Sequence, residues 1–236
     1  LSIENNVAPT LDWLQTRLDL NNAQLKKLVV NFSPILAVRV ETNIAPTIDW
    51  LQSTLDLKES ELQKMVLAMP SMLNCNVEAN LAPTLDWLRT TLDLSDQELS
   101  KMVRKVPTLL IYSVDANMAP KLEWLQSRLD LESAELRKMV LTHPQVLCYS
   151  IENNLEPKLG FLEEELGLSP SKVRALILTT PPSLSYGLNT RYRPRLEVCR
   201  AANADVSIVL RGAYQTDAAF CKRVGVPLEA LRAAQE

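Results

Sequence analysis

Apolar side chains in this chain fall into two short patterns that alternate. The first, Leu11, Leu14 and Leu18, has the three-and-four spacing of one helix face, and it returns at Ile48, Leu51 and Leu55 and at Leu85, Leu88 and Leu92. The second, Leu25, Leu28, Val29 and Phe32, followed one copy later by Leu62, Met65, Val66 and Met69, marks a face of another helix. Asp19-Leu20 and its copies break the chain between the two. After the second pattern come apolar runs such as SMLNC and TLLIY, too brief for a full helix and long enough for one tight turn. The predicted unit is helix, break, helix, tight turn.

Prolines at 9, 46, 83, 120, 157 and 194 give this unit a length of 37 residues. Four copies read NNVAPTLDWLQTRLDL, TNIAPTIDWLQSTLDL, ANLAPTLDWLRTTLDL and ANMAPKLEWLQSRLDL, and a fifth, NNLEPKLGFLEEELGL, has drifted. A period in this range means supersecondary units stacked into one elongated array. The predicted boundaries are a repeat region over 1–190, with first helices near 7–18, 44–55, 81–92, 118–129 and 155–166, and a degenerate sixth repeat with a C-terminal helical cap over 191–236. Asn6, Asn43, Asn80, Asn117 and Asn154, three residues before the prolines, are the expected caps of the first helices, with proline tolerated in the first turn. For the second helix the best start signals are Ser95 with Glu98 as a capping box, Leu94 with Leu99 as a staple, and Ser169 followed by Pro170. Pro70, Pro107, Pro144 and Pro181 are expected to end it. Only five glycines and 5% aromatics fit an all-α class with few turns at positive φ, and disfavour a β sandwich or barrel.

The succession Asp/Gly-Leu, polar cap, Glu-Leu-x-Lys-Met/Leu-Val, proline with Leu-Leu, then Pro-x-Leu-x-Trp/Phe-Leu resembles the repeat of the mitochondrial transcription termination factor (mTERF) family. The resemblance runs unit by unit over residues 1 to about 190, and TDAAFCKRVGVP at 216–227 is similar to that family's C-terminal end. It implies a curved α-solenoid, a left-handed superhelix whose units have two antiparallel helices and a shorter third. It also implies a non-catalytic, organellar protein of the mitochondrion or chloroplast that binds double-stranded DNA or structured RNA in transcription or RNA metabolism. The alternative within the same resemblance is a protein-binding scaffold or structural subunit of an organellar assembly.

Two sets of cations are candidates for a nucleic-acid contact. Lys27, Lys64, Lys101 and Lys138 hold one slot of four successive second helices, with Lys26 beside the first. Helices packed about 10 Å apart would spread that row over about 30 Å, near the roughly 34 Å of one duplex turn. The alternative is self-neutralisation: Glu61, Glu98 and Glu135 lie three residues before Lys64, Lys101 and Lys138, a spacing that forms intrahelical ion pairs. Arg191, Arg193, Arg195 and Arg200, interleaved with Tyr192 and opposed locally by Glu197 alone, form the densest basic cluster and suit phosphate oxygens. Its alternative is a solvated helix entrance beside Pro194 on an end cap.

Overall charge opposes the nucleic-acid reading. The chain carries −3, with 17 basic against 23 acidic residues in 1–190 and 8 against 5 in 191–236, whereas nucleic-acid domains are ordinarily basic. Acidic rows run through Asp12, Asp49, Asp86 and Glu123, and through Asp19, Asp56, Asp93 and Asp130. Like residues one helix apart cannot converge on a metal ion, so these are solvated faces or loop caps, or a surface for a basic protein partner. Trp13, Trp50, Trp87 and Trp124, with Phe161 in the fifth copy, are expected to pack between repeats rather than to stack bases.

Catalytic signals are absent. The single histidine, His143, takes the core slot of Phe32, Met69, Val106 and Thr180, and no nucleophile constellation or phosphate loop accompanies it. Cys75, Cys148, Cys199 and Cys221 have no paired spacing, which points to reduced thiols and not to zinc or disulfides. No stretch reaches the length of a membrane span. No metal, cofactor or small-molecule substrate is expected. The chain begins inside a repeat without a transit peptide, as a processed or trimmed chain would.

Overall fold

A computed structural model describes residues 7–235, and among these all regular structure is helical. The chain divides into two compact bodies, Leu1–Pro120 and Lys121–Glu236. In the first body α1 (Ala8–Arg17), α2 (Asn22–Asn31), α3 (Ala45–Thr54), α4 (Glu59–Ala68), α5 (Ala82–Thr91) and α6 (Asp96–Lys105) come in pairs. Each pair is followed by a 3-10 turn, Ser33–Ala37, Pro70–Asn74 and Pro107–Ile111. The second body continues the pattern with α7 (Ala119–Leu129), in whose first turn the division falls, α8 (Ser133–Thr142), α9 (Glu156–Gly160) and α10 (Pro170–Thr179), with turns at Pro144–Cys148 and Pro181–Ser185. It ends in α11 (Arg193–Ala201), α12 (Ile208–Arg211), α13 (Asp217–Val224) and α14 (Leu228–Gln235). The predicted unit of helix, break, helix and tight turn is the unit observed.

Second helices start where local chemistry places them. Ser95 Oγ accepts from the Glu98 amide while Glu98 accepts from the Ser95 amide at 3.0 Å, a complete capping box. Asn21 with Gln24 does the same in the first repeat, and Ser169 caps α10 ahead of Pro170. In the second to fifth repeats the residue before the proline, such as Met69 at φ −142 and ψ 71, has left the helical region, and Phe32 does the same at φ −147 and ψ 72 ahead of Ser33 in the first.

First helices depart from the sequence reading. Asn43, Asn80, Asn117 and Asn154 do not cap them; these residues lie inside a wider π turn, at Val40–Ile44, Val77–Leu81, Val114–Met118 and Ile151–Leu155, that precedes the α-helix. The caps stand earlier: Asn76 accepts from the Ala79 amide, Ser113 from Ala116 and Ser150 from Asn153. Asn6 lies outside the described residues. The proline explains the register change. In the second repeat the Ile44 and Ala45 amides reach back five residues to Arg39 and Val40. Pro46 then donates nothing, so the ladder can step to four-residue spacing without stranding an amide.

The break between paired helices is a left-handed residue. Asp19, Asp56, Asp93 and Asp130 have φ of 49, 49, 48 and 50, and Gly167 takes the same slot at φ 66. The amides of Leu20, Leu94 and Leu131 reach back five residues to Gln15, Arg89 and Gln126, which closes a Schellman motif with the buried leucine as its apolar contact. Scarce glycine therefore does not mean few positive-φ turns: aspartate, which tolerates this conformation, supplies them.

Stacking follows from the two apolar faces. In the first body α2 packs against α4, and Ser33–Ala37 against Pro70–Asn74; in the second α8 packs against α10, and Pro144–Cys148 against Pro181–Ser185. Leu14, Leu51, Leu88, Leu28, Met65 and Met102 are buried. Side chains of the second helix also satisfy the free carbonyls that end the preceding repeat's first helix: Gln63 Nε2 donates to Leu18 and Asp19, Ser100 Oγ to Leu55, and Arg174 Nε to Asp130. The four tryptophans are half-buried, whereas Phe161 is buried against Tyr192 of the next repeat, 5.6 Å between ring centres.

Candidate nucleic-acid interface

Arginines and lysines have been given different work. Arg17 on α1 donates to Asp49 and Gln52 on α3 and to Glu59 on α4. Arg104 on α6 pairs with Glu61 on α4 at 2.6 Å, and Arg174 on α10 with Glu135 on α8 at 2.6 Å. Arg128 on α7 holds Glu156 and Glu163 of the following repeat at 3.1 and 2.7 Å. These forks join neighbouring repeats, and a planar guanidinium reaches two acceptors at once where an ammonium is a single point. The hydrogen bond from Arg128 holds the Glu163 carboxyl below its usual range.

The glutamates expected to neutralise the lysines are therefore occupied elsewhere. Glu61 accepts the Lys58 amide and then Arg104, the two causes, in that order, that lower its pKa. Glu135 accepts the Glu132 amide and the Arg174 guanidinium. Glu98 closes the capping box with Ser95. Lys26, Lys27, Lys64, Lys101 and Lys138 are exposed, and no ion pair to any of them is found among the described residues. The predicted i, i+3 pairing is corrected: the capping position and the inter-repeat arginine outcompete a solvated lysine for the same carboxylate.

The arginine cluster is corrected in the opposite sense. Arg195 has no exposure at all; its guanidinium donates to the Gly212 and Gln215 carbonyls at 2.6 and 2.9 Å and to Asp217 at 2.7 Å, and lies 4.6 Å over the Phe220 ring. It clamps α11 to the C-terminal helices. Arg191 donates to the Ala213 carbonyl and covers Tyr186, Arg193 pairs with Glu165 and Asn189, and Arg200 donates to the Glu165 carbonyl. Arg195 is thus a buried clamp and Arg191 a half-buried one, whereas Arg193 and Arg200 are exposed on α11.

The acidic row on the first helices is partly spent in the same way, Asp49 on Arg17 and Asp86 on Arg89. His143 is buried, with Ser185 Oγ at 3.0 Å and Tyr149 Oη at 3.4 Å from Nε2, so it is a hydrogen-bonded core residue as expected. Among the described residues no group of three or more His, Cys, Asp or Glu is placed to hold a metal ion, and no helix is long and apolar enough to cross a membrane.

A family model described as mTERF matches residues 1–212. The chain belongs to the mTERF family. No curated protein matches it. The matched span of this mTERF protein takes in the π turn Leu188–Tyr192 and α11, where the first-helix pattern returns once more around Pro194, so the arginine cluster belongs to the repeat architecture.

One repeated slot in the mTERF chain escaped the sequence reading. The residue after each proline is Thr10, Thr47, Thr84, Lys121, Lys158 and Arg195, and all six are buried. The Lys121 ammonium donates to the Leu147 carbonyl at 2.7 Å; that of Lys158 donates to the Leu184 carbonyl and to Asn154 Oδ1 at 2.7 Å. Both lysines thus sit on the carbonyl end of their own repeat's 3-10 turn, where partial negative charge collects. Burial lowers the pKa of Lys121 and brings that of Lys158 down to about 8. The signal was in the sequence: position 10 precedes Leu14 and Leu18 by four and eight residues and shares their face.

Proposed function

We propose that this mTERF protein is a non-catalytic, organellar nucleic-acid-binding factor of transcription or RNA metabolism that grips the phosphate backbone of double-stranded DNA or structured RNA. The observation that supports this reading is the row Lys27, Lys64 and Lys101, exposed and unpaired at one position of α2, α4 and α6 in the first body. Lys138 holds the same position of α8, and Lys26 adjoins the first. With second helices about 10 Å apart, three ammonium groups span about 20 Å, a length over which a duplex backbone offers several phosphates. Near-identity of the slot from repeat to repeat favours backbone and shape contacts over base-by-base readout, which requires contacting residues that differ. Family membership supports an organellar location, mitochondrion or chloroplast.

The test is fluorescence anisotropy with a labelled duplex of about 30 base pairs, a hairpin RNA and a single strand, at about 50 and 200 mM salt. Binding that weakens steeply with salt is expected. Absence of binding to all three at the lower salt overturns the proposal and leaves a protein-binding scaffold as the reading of the family.

A further inference from the structure

The buried slot after the proline carries a ligand prediction of its own, independent of any nucleic acid. In the fifth repeat the Lys158 side chain brings its ammonium to the Leu184 carbonyl and Asn154 Oδ1, 5.3 Å from the centre of the Tyr149 ring. The same positions of the third repeat are Thr84, Leu110, Asn80 and Cys75. Two of these changes remove bulk: threonine replaces lysine, and cysteine replaces tyrosine. An open pocket of about 490 Å³ lies at that place, lined by Cys75, Asn80, Thr84, Leu110, Ile111 and Tyr112 among others.

We propose that this pocket binds a primary alkylammonium group, the chemistry of a lysine side chain or a polyamine. The carbonyl end of the turn Pro107–Ile111 supplies the negative pole that Leu147 and Leu184 present to the internal lysines. Asn80 Oδ1 accepts one bond from the Asn76 amide at 3.2 Å and has a second lone pair to offer. None of the lining residues carries a charge, so no internal cation competes for the acceptors. Alkyl stems find Leu110 and Ile111, the latter 36% exposed. Methylene contacts and an ammonium cradle together are what Lys158 uses within its own repeat.

The probe is n-butylammonium chloride, titrated into the 15N-labelled chain and followed by amide shifts at Leu110, Ile111 and Tyr112, with n-butanol as the uncharged control. A saturable shift that n-butanol does not produce is expected. Thr84→Lys supplies the ammonium covalently and should abolish the shift. Asn80→Leu keeps the slot open and should weaken binding about tenfold or more, the loss of one hydrogen bond to a charged group. Should Thr84→Lys fail to fold, Asn80→Leu decides alone. Parallel titrations with spermidine and with N-acetyl-lysine methylamide assign the source, the tighter binder naming it. No saturable shift with n-butylammonium, an equal shift with n-butanol, or a shift undiminished in Thr84→Lys or Asn80→Leu overturns the proposal.

Discussion

Lys158 offers the sharpest quantitative test of the packing. Its side chain is 4% exposed, its ammonium rests on a carbonyl and an amide oxygen, and no carboxylate pairs with it among the described residues. Burial brings its pKa from 10.5 down to about 8. An unfolded chain keeps the proton until about pH 10.5 and the folded chain releases it near 8. Across that window the unfolded state binds more protons, so this residue's contribution to stability rises with pH; below the window both states hold the proton and the burial penalty is present in full. Integrating between about pH 7 and pH 9.5 gives an increase of about 2 kcal/mol. Other groups titrate there, including Cys148 and Cys199, whose thiol pKa burial raises and whose effect has the opposite sign.

Lys158→Met isolates the one group, because it keeps the apolar stem and removes the ammonium, and contributions common to both proteins cancel in the difference. Urea unfolding followed by far-UV circular dichroism and tryptophan fluorescence, at about pH 7 and 9.5, measures that difference. The advantage of the methionine variant over the parent should shrink by about 2 kcal/mol on going to the higher pH. A difference that stays constant within about 0.5 kcal/mol would refute the claim that this ammonium is held against its solvation.

Three further outcomes follow. Each phosphate contact adds about 0.9 to the slope of log affinity on log salt, so replacing Lys27, Lys64 and Lys101 by alanine should remove a roughly 40-fold loss of affinity between about 50 and 200 mM salt; an unchanged slope excludes these lysines. Asp56→Gly, at φ 49 with an exposed side chain, should raise stability by about 0.5–1 kcal/mol in chemical denaturation, and a loss would show that the carboxylate has a structural partner. Arg195→Met should cost about 2–4 kcal/mol, less than a fully buried pair because Asp217 keeps 37% exposure, whereas Arg193→Ala should cost under about 1; equal losses in thermal melts would contradict the clamp assigned to Arg195.

What was legible in the sequence is what short-range chemistry decides. Ser95 with Glu98, Ser169 with Pro170, and the prolines that end second helices act within a few residues, and the structure places them as read. The π turn was hidden because the same Pro46 serves equally well at a helix start or at a change of register, and only the carbonyls it leaves behind tell the two apart. Glu61 and Lys64 stand at ion-pair spacing on one helix, but Arg104 approaches from a residue 43 positions away. No local window contains it. Arg195 reads as one of four surface cations until its acceptors, 17 to 22 residues on, fold over it.

Net charge misleads in this chain for a reason its pairing makes clear. A charge of −3 describes the sum, whereas a phosphate meets only what remains after internal pairing. Arg17 engages Asp49 and Glu59, and Arg128 engages Glu156 and Glu163, so each of these two cations between repeats takes up two carboxylates. These bonds lie where two repeats meet, and they take acidic side chains out of the charge that a phosphate would meet. The lysines of the second helices lie outside that economy: their neighbouring glutamates are turned to caps and arginines, and their charge faces solvent undiminished. An acidic repeat chain can thus present a cationic row, because part of its acidity, including the glutamates beside those lysines, is engaged by caps and inter-repeat arginines.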